Sequence, residues 1–259
     1  MRDGAGRAEG RSRPPGTRTR TRRSPLIGPG PAPWFADGFL RYNRWLLGRR
    51  FAAVRVSGLG HLPLDSDDPV IVYLNHPAWW DPLMCAALIA AVAPRHRHVA
   101  LIDRTQLSGV LERLGFIGIE PDSPAGARRL ARIGEELRTL PRAMLWLTPQ
   151  GRFSDPRERP LGLRGGLARL AARLPAAQLV PLAIEYPFLG GRRPEARLLL
   201  GEPLSAADAD ETSIETGLER AMDRLAELVI GGEDAAFRTL IGGPGREAPG
   251  AVSPAGGGS

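Results

Sequence analysis

One cysteine, Cys85, stands in 259 residues, so no internal disulfide holds the fold together. It lies on the apolar side of an expected helix, where a thiol serves as a small buried hydrophobe. With four histidines beside one cysteine, a metal centre has little to be built from, and none is expected. No run reaches the 18 or so apolar residues that a membrane-crossing helix needs. The longest approach, Leu83 to Ala93, is too short, which leaves peripheral contact as the expected relation to a membrane. The segment Thr21 to Ile27 has the outline of a twin-arginine export signal, but Gly28-Pro29-Gly30-Pro31 follows where an apolar stretch should, and export is not expected. Lysine is missing altogether, and all 35 basic residues are arginine. We read this as the coding bias of a GC-rich, bacterial genome.

At 42% hydrophobic and 24% charged, the chain is neither fibrous nor wholly disordered and is long enough for one substantial domain. The formal charge of +7 suggests a polyanion partner only until its distribution is seen. Eight arginines against Asp3 and Glu9 lie in residues 1 to 23, so the rest of the chain is close to neutral. The boundaries expected are a disordered Arg-rich tail (1–32), one domain (33–240) opened by an amphipathic interfacial helix (33–50), and a disordered Gly/Pro-rich tail (241–259). The basic tail can meet anionic lipid or nucleic acid, but the domain shows no aromatic and basic interleaving on strands, so no specific nucleic-acid partner is expected.

Strands are expected at Phe51 to Val56, Val70 to Leu74, His98 to Ile102, Phe116 to Ile119, Ala143 to Leu147, Leu179 to Ile184 and Arg197 to Leu200. Helices are expected at Trp34 to Arg50, Pro82 to Val92, Leu107 to Leu114, Ser123 to Leu140, Leu161 to Leu174 and Ser213 to Ile230. The alternation predicts a single α/β domain with a largely parallel central sheet flanked by helices. On the first helix Phe35, Phe39, Tyr42 and Leu46 share a stripe, with Arg41 and Arg44 turned away. That pattern suits a helix lying in a membrane interface, and equally one packed on its own domain.

The most informative stretch is Asn75-His76-Pro77-Ala78-Trp79-Trp80-Asp81-Pro82, directly after the Val70 to Leu74 strand. On one continuous helix, side chains five apart would diverge by about 140°. Pro77 holds Asn75-His76 extended, while Asp81-Pro82 reads as an N-cap followed by a first-turn proline, so the carboxylate can fold back on the imidazole. Such a pair suits general-base activation of a hydroxyl, the carboxylate fixing the ring's tautomer. A helix-capping aspartate beside an unrelated loop histidine would leave the same short string.

With three further blocks in order, the chain resembles the glycerophospholipid acyltransferase family, the lysophosphatidic-acid-acyltransferase-like enzymes with an H-x4-D motif. The blocks are His76 to Asp81, Gly115-Phe116-Ile117 with Ile119, Thr148-Pro149-Gln150-Gly151 with Ser154, and Val180-Pro181-Leu182-Ala183. The resemblance covers roughly residues 50 to 200. It implies transfer of a fatty acyl group from acyl-CoA or acyl carrier protein to a lipid or glycerol-type hydroxyl, with no cofactor beyond that co-substrate. His76 and Asp81 would be catalytic, and Asn75, Gln150, Gly151, Arg152, Ser154 and Pro181 would bind substrate. The expected setting is cytoplasmic, on the inner face of the membrane, held through residues 34–50 and the Arg tail. Two departures stand out. The arginine that ends the family's second block is Pro121 here, and the third block, usually Pro-Glu-Gly-Thr-Arg-Ser, reads Pro149-Gln150-Gly151-Arg152-Phe153-Ser154. Those arginines and the glutamate hold a glycerol phosphate in the family, so the acceptor here is expected to differ from lysophosphatidic acid, unless Arg152, Arg128, Arg129 or Arg164 compensates. The alternative function is a lipid-binding protein of the same fold without turnover.

Overall fold

The computed structural model describes residues 24–242, so most of both expected tails, at 1–23 and 243–259, lies outside the described residues. In chain order the elements are α1 (Pro33–Arg50), β1 (Ala53–Ser57), β2 (Val70–Leu74), α2 (Asp81–Val92), β3 (Arg97–Asp103), α3 (Gly109–Arg113), β4 (Phe116–Ile119) and α4 (Pro124–Leu137). There follow β5 (Ala143–Leu147), α5 (Gly166–Ala171), β6 (Gln178–Glu185), β7 (Ala196–Leu200), β8 (Leu204–Ser205), α6 (Glu211–Ile230) and β9 (Arg238–Gly242).

Every residue of β2 is buried, because side chains alternate along a strand and both faces of this one are covered. Ile71 and Tyr73 enter one core layer, and Val70, Val72 and Leu74 the other. The strand pairs in parallel with β5 on one side and β6 on the other. β3 and then β4 continue the parallel sheet beyond β5. Past β6 the direction changes: β7 is antiparallel to β6, β1 is parallel to β7, and β9 closes that edge antiparallel to β1. The order is β4-β3-β5-β2-β6-β7-β1-β9, with β8 paired to β6. The expected α/β domain with a largely parallel sheet is what is found.

α4, α5 and α6 supply the core layer on one face, and α1 and α2 pack on the other. The starts of the longer helices are fixed locally. Ser123 accepts the Gly126 N–H at 2.9 Å, and Asp210 and Ser213 form a capping box on α6, each such cap contributing about 1 kcal/mol. The Tyr73 hydroxyl spans the layer to donate to the Ile214 carbonyl, and Gly217 leaves it room, since a Cβ there would stand 2.8 Å from that oxygen.

Three expectations need correction. The packed side of α1 is Asn43 and Leu47 with Ala36, Phe39 and Leu40 half-buried beside them, so the stripe is rotated from the one expected. Tyr42 is turned out, exposed with Trp34 and Trp45. The rotation is set by α2, where the Leu83 carbonyl accepts from the buried Asn43 side chain at 2.9 Å. The helix expected from Leu161 shrinks to α5. The segment before it spends its backbone groups at long range, Leu161 O on Gln150, Gly162 N on Glu215 and Arg164 N on Pro149 O. Asp81 is the first residue of α2 and not its cap; its side chain turns back toward the preceding loop.

Candidate active site

Parallel strands bring their C-terminal ends, and the loops that leave them, to one rim of a sheet, and that rim is where α/β folds place their chemistry. Here the loops after β2, β5 and β6 meet. Asn75 sets the geometry: its amide donates to Ile184 O at 3.0 Å and accepts from Ile184 N at 2.8 Å. The side chain thus continues the β2–β6 ladder after the backbone has turned away. His76 is the next residue. Its backbone N–H is held by the Gln150 carboxamide oxygen at 3.2 Å and its carbonyl by the Ser154 N–H at 3.0 Å, so the loop after β5 grips the histidine from both ends.

His76 Nδ1 lies 2.5 Å from Asp81 Oδ2, and Asp81 is 1% exposed. A carboxylate only accepts, so the proton of this bond belongs to Nδ1 and the Nε2 lone pair is left to take a proton. The Ala78 N–H adds a second donor to Oδ2 at 3.2 Å, and the Tyr186 hydroxyl donates to Oδ1 at 2.5 Å. The Phe153 ring covers the imidazole, with centroids 4.3 Å apart.

From His76 and Thr148 at the rim, an apolar cavity of about 110 Å³ runs down the sheet face beneath α2 to His98 and Trp146. Its roof is the α2 stripe Asp81, Cys85, Ala86 and Ile89, spaced so that they share one helix face and small enough to leave a channel. Its floor is neutral. Trp146 Nε1–H donates to His98 Nδ1 at 3.1 Å, so His98 Nε2–H donates to Ala93 O at 2.7 Å. Burial, with the neighbouring Ala93 carbonyl opposing and the His96 and Arg97 charges assisting, lowers the His98 pKa to about 4. Cys85 is buried against this channel, and burial beside the Asp81 charge pushes its thiol far above the usual range, so it remains an inert wall.

The dyad lines this cavity, and none of the six residues expected from sequence to bind substrate does. Asn75 and Pro181 are buried in the sheet, Gln150 and Ser154 position His76, and Gly151 takes the left-handed conformation (φ 65°) against the Arg164 guanidinium. Arg152 forms a two-pronged pair with Glu158. The residues that sequence reasoning missed are Tyr186, Phe153 as a cover for the ring, and the channel walls on β3, β4 and β5. Position carries them: Tyr186 is 105 residues from Asp81 and carries no spacing signature.

A model of the family described as Acyltransferase matches residues 53–185, from β1 to the end of β6. The chain belongs to the Acyltransferase family. The matched span holds His76, Asp81 and the parallel block β4-β3-β5-β2-β6, so the dyad is the candidate active site of an acyltransferase. No match is found among curated proteins. Among solved structures, the crystal structure of the 1-acyl-sn-glycerophosphate (LPA) acyltransferase PlsC from Thermotoga maritima is similar to this acyltransferase over 74% of this chain and 79% of that one. The TM-score is 0.53 and the identity 18%, a likeness of fold.

Proposed function

We propose that this acyltransferase moves a fatty acyl group from a thioester, acyl-CoA or acyl carrier protein, onto a lipid hydroxyl at a membrane surface. The observation that carries the reading is a His–Asp dyad, its aspartate buried and its histidine part-exposed, at the rim end of an apolar channel. The acyl chain lies in the channel, with each buried methylene contributing about 0.8 kcal/mol, and its thioester carbonyl stands at His76. His76 Nε2 takes the proton of the acceptor hydroxyl while Asp81 holds the ring and stabilises the imidazolium. The oxygen attacks the carbonyl carbon, the tetrahedral intermediate collapses with cleavage of the C–S bond, and the departing thiolate takes the proton back from His76. Ester and free thiol are the products, and neither a metal nor a redox cofactor enters a step.

The acceptor is a lipid hydroxyl without the usual glycerol-linked phosphate, such as one on a sugar or isoprenoid lipid. Two of the four arginines that could compensate for Pro121 and Gln150 are engaged within the chain, Arg152 with Glu158 and Arg164 with Asp122 at 3.0 Å, while Arg128 and Arg129 make no ion pair among the described residues. A phosphate would have to displace a carboxylate at Arg152 or Arg164. No described helix is long and apolar enough to cross a membrane. Attachment to the inner membrane face is through the outer side of α1, where Trp34, Tyr42 and Trp45 lie beside Arg41, Arg44 and Arg49.

The test is incubation with labelled palmitoyl-CoA and a total lipid extract, with identification of the labelled product. Wild type labels a lipid. His76→Ala lowers the rate by about 10²- to 10⁴-fold, the usual contribution of a positioned general base, with vesicle binding intact. Equal labelling by the variant overturns the catalytic reading. Lysophosphatidic acid as much the best acceptor overturns the altered-acceptor part alone.

A further inference from the structure

Tyr186 follows directly on β6 and reaches the active site from the side opposite His76. Its ring packs beside Phe51, with centroids 5.6 Å apart, and Phe51 in turn meets Trp80 edge-on at 5.1 Å, so the phenol is aimed by aromatic packing. Asp81 therefore has both oxygens occupied, Oδ2 by His76 and the Ala78 N–H, Oδ1 by the Tyr186 hydroxyl. A buried tyrosine hydroxyl needs an acceptor, and a backbone carbonyl suffices, as Tyr73 shows with Ile214 O. Tyr186 is given the orienting carboxylate of the dyad instead.

Resting on the acyl-transfer reading, we propose that Tyr186 is a positioning residue of the reaction: its hydroxyl fixes the rotation of Asp81 and withdraws part of the carboxylate's charge from His76. The bond stops Asp81 turning about its own side chain, so Oδ2 stays on Nδ1 and the Nε2 lone pair stays directed at the acceptor. By sharing the carboxylate's negative charge it also keeps the imidazolium from being held too firmly to return its proton to the thiolate. The titratable groups that meet here are His76 from the loop, Asp81 and Cys85 from α2, and Tyr186 after β6. Burial and the Asp81 charge raise the phenol well above its ordinary range, so it remains a donor across the working range of pH.

Tyr186→Phe keeps the ring and deletes the donor. We expect kcat with palmitoyl-CoA and the lipid extract to fall about ten-fold, as for loss of an orienting partner, with KM for the thioester unchanged. The acid limb of the kcat/KM profile should move about half a pH unit upward, because the unshared carboxylate holds the protonated ring more firmly. Unchanged kcat and an unmoved acid limb in a variant of wild-type melting temperature overturn the proposal. Should Tyr186→Phe fail to fold, 3-fluorotyrosine at 186 decides: a stronger donor of nearly the same shape must shift the acid limb downward, and an unmoved limb overturns the role. His76→Ala, assayed alongside, separates the two levels. Retained transfer by His76→Ala overturns the dyad reading itself, whereas its loss together with an unaffected Tyr186→Phe overturns only the positioning role.

Discussion

His98 shows how a polar side chain can floor an apolar channel without charging it. Both ring nitrogens are engaged within the protein, and burial lowers its pKa from 6.5 to about 4. In the unfolded chain the ring takes a proton near pH 6.5, and in the folded chain only near 4, so across that interval the unfolded state binds more protons. The contribution of His98 to stability is complete above about 6.5 and is lost as the pH falls toward 4. Denaturant midpoints measured from pH 7 to 4 should therefore fall more steeply for wild type than for His98→Gln, in which nothing titrates at this position. His96, lowered in the same direction, is common to both chains and cancels. The contact of His76 with Asp81 was legible in the sequence because Pro77 keeps the two off one continuous helix and because three further blocks set the short string apart from an accidental match. Tyr186 was not, since its contact is made by the parallel pairing of β2 and β6 and by no local rule. Asn75, Gln150 and Ser154 also hold the His76 loop, a structural contact that the sequence does not separate from substrate binding. A motif residue that touches substrate and one that holds the catalytic loop leave the same mark in a sequence.

At the scale of the element, α1 joins two demands that the sequence leaves open. Its inner side packs on α2 through Asn43 and Leu47, while Trp34, Tyr42 and Trp45 are left 74, 55 and 56% exposed, with Arg49 over the Trp45 ring at 5.4 Å. Replacing Trp34 and Trp45 together by alanine removes interfacial area and no core contact. Co-sedimentation with anionic vesicles should fall at least several-fold, with the melting temperature within a few degrees of wild type. The helix itself was readable from its periodicity, but its rotation was not, because a buried asparagine bonded to the next helix counts as polar in any hydrophobic pattern. α5 was overread for the opposite reason: Leu163, Leu167, Leu170 and Leu174 have helical spacing, yet Gly162 (φ 66°) and the long-range bonds around it keep the chain before Gly166 out of a helix. β9 was missed because its pattern of two exposed residues, one half-buried, one buried and one exposed belongs to an edge strand, covered on one side only.

At the scale of the molecule, the channel has a length set by the sheet. It passes from the rim at Leu147 and Thr148, between Ala100, Phe116 and Trp146, to His98, and Ala100 leaves the gap at its middle. Ala100→Phe should close the lower half. In competition between thioesters, preference for octanoyl over palmitoyl chains should rise by about ten-fold or more, the discrimination that lost apolar contacts of this size give. An unaltered ratio would place the acyl chain elsewhere. The parallel block β4-β3-β5-β2-β6 was legible as alternating strands and helices. The strand order was not, since pairing partners are set by packing across the whole sheet.

That order also fixes a sequence of events during synthesis. Among the described residues β1 pairs with β7 and β9, the last of which ends at residue 242. At translation rates of 5–20 residues per second, roughly ten to forty seconds separate the emergence of β1 from that of its final partner. For most of that interval, until β7 (Ala196–Leu200) emerges, α1 is attached to a strand with nothing to pair with. The membrane contact proposed for α1 would then be open to the nascent chain before its sheet is closed.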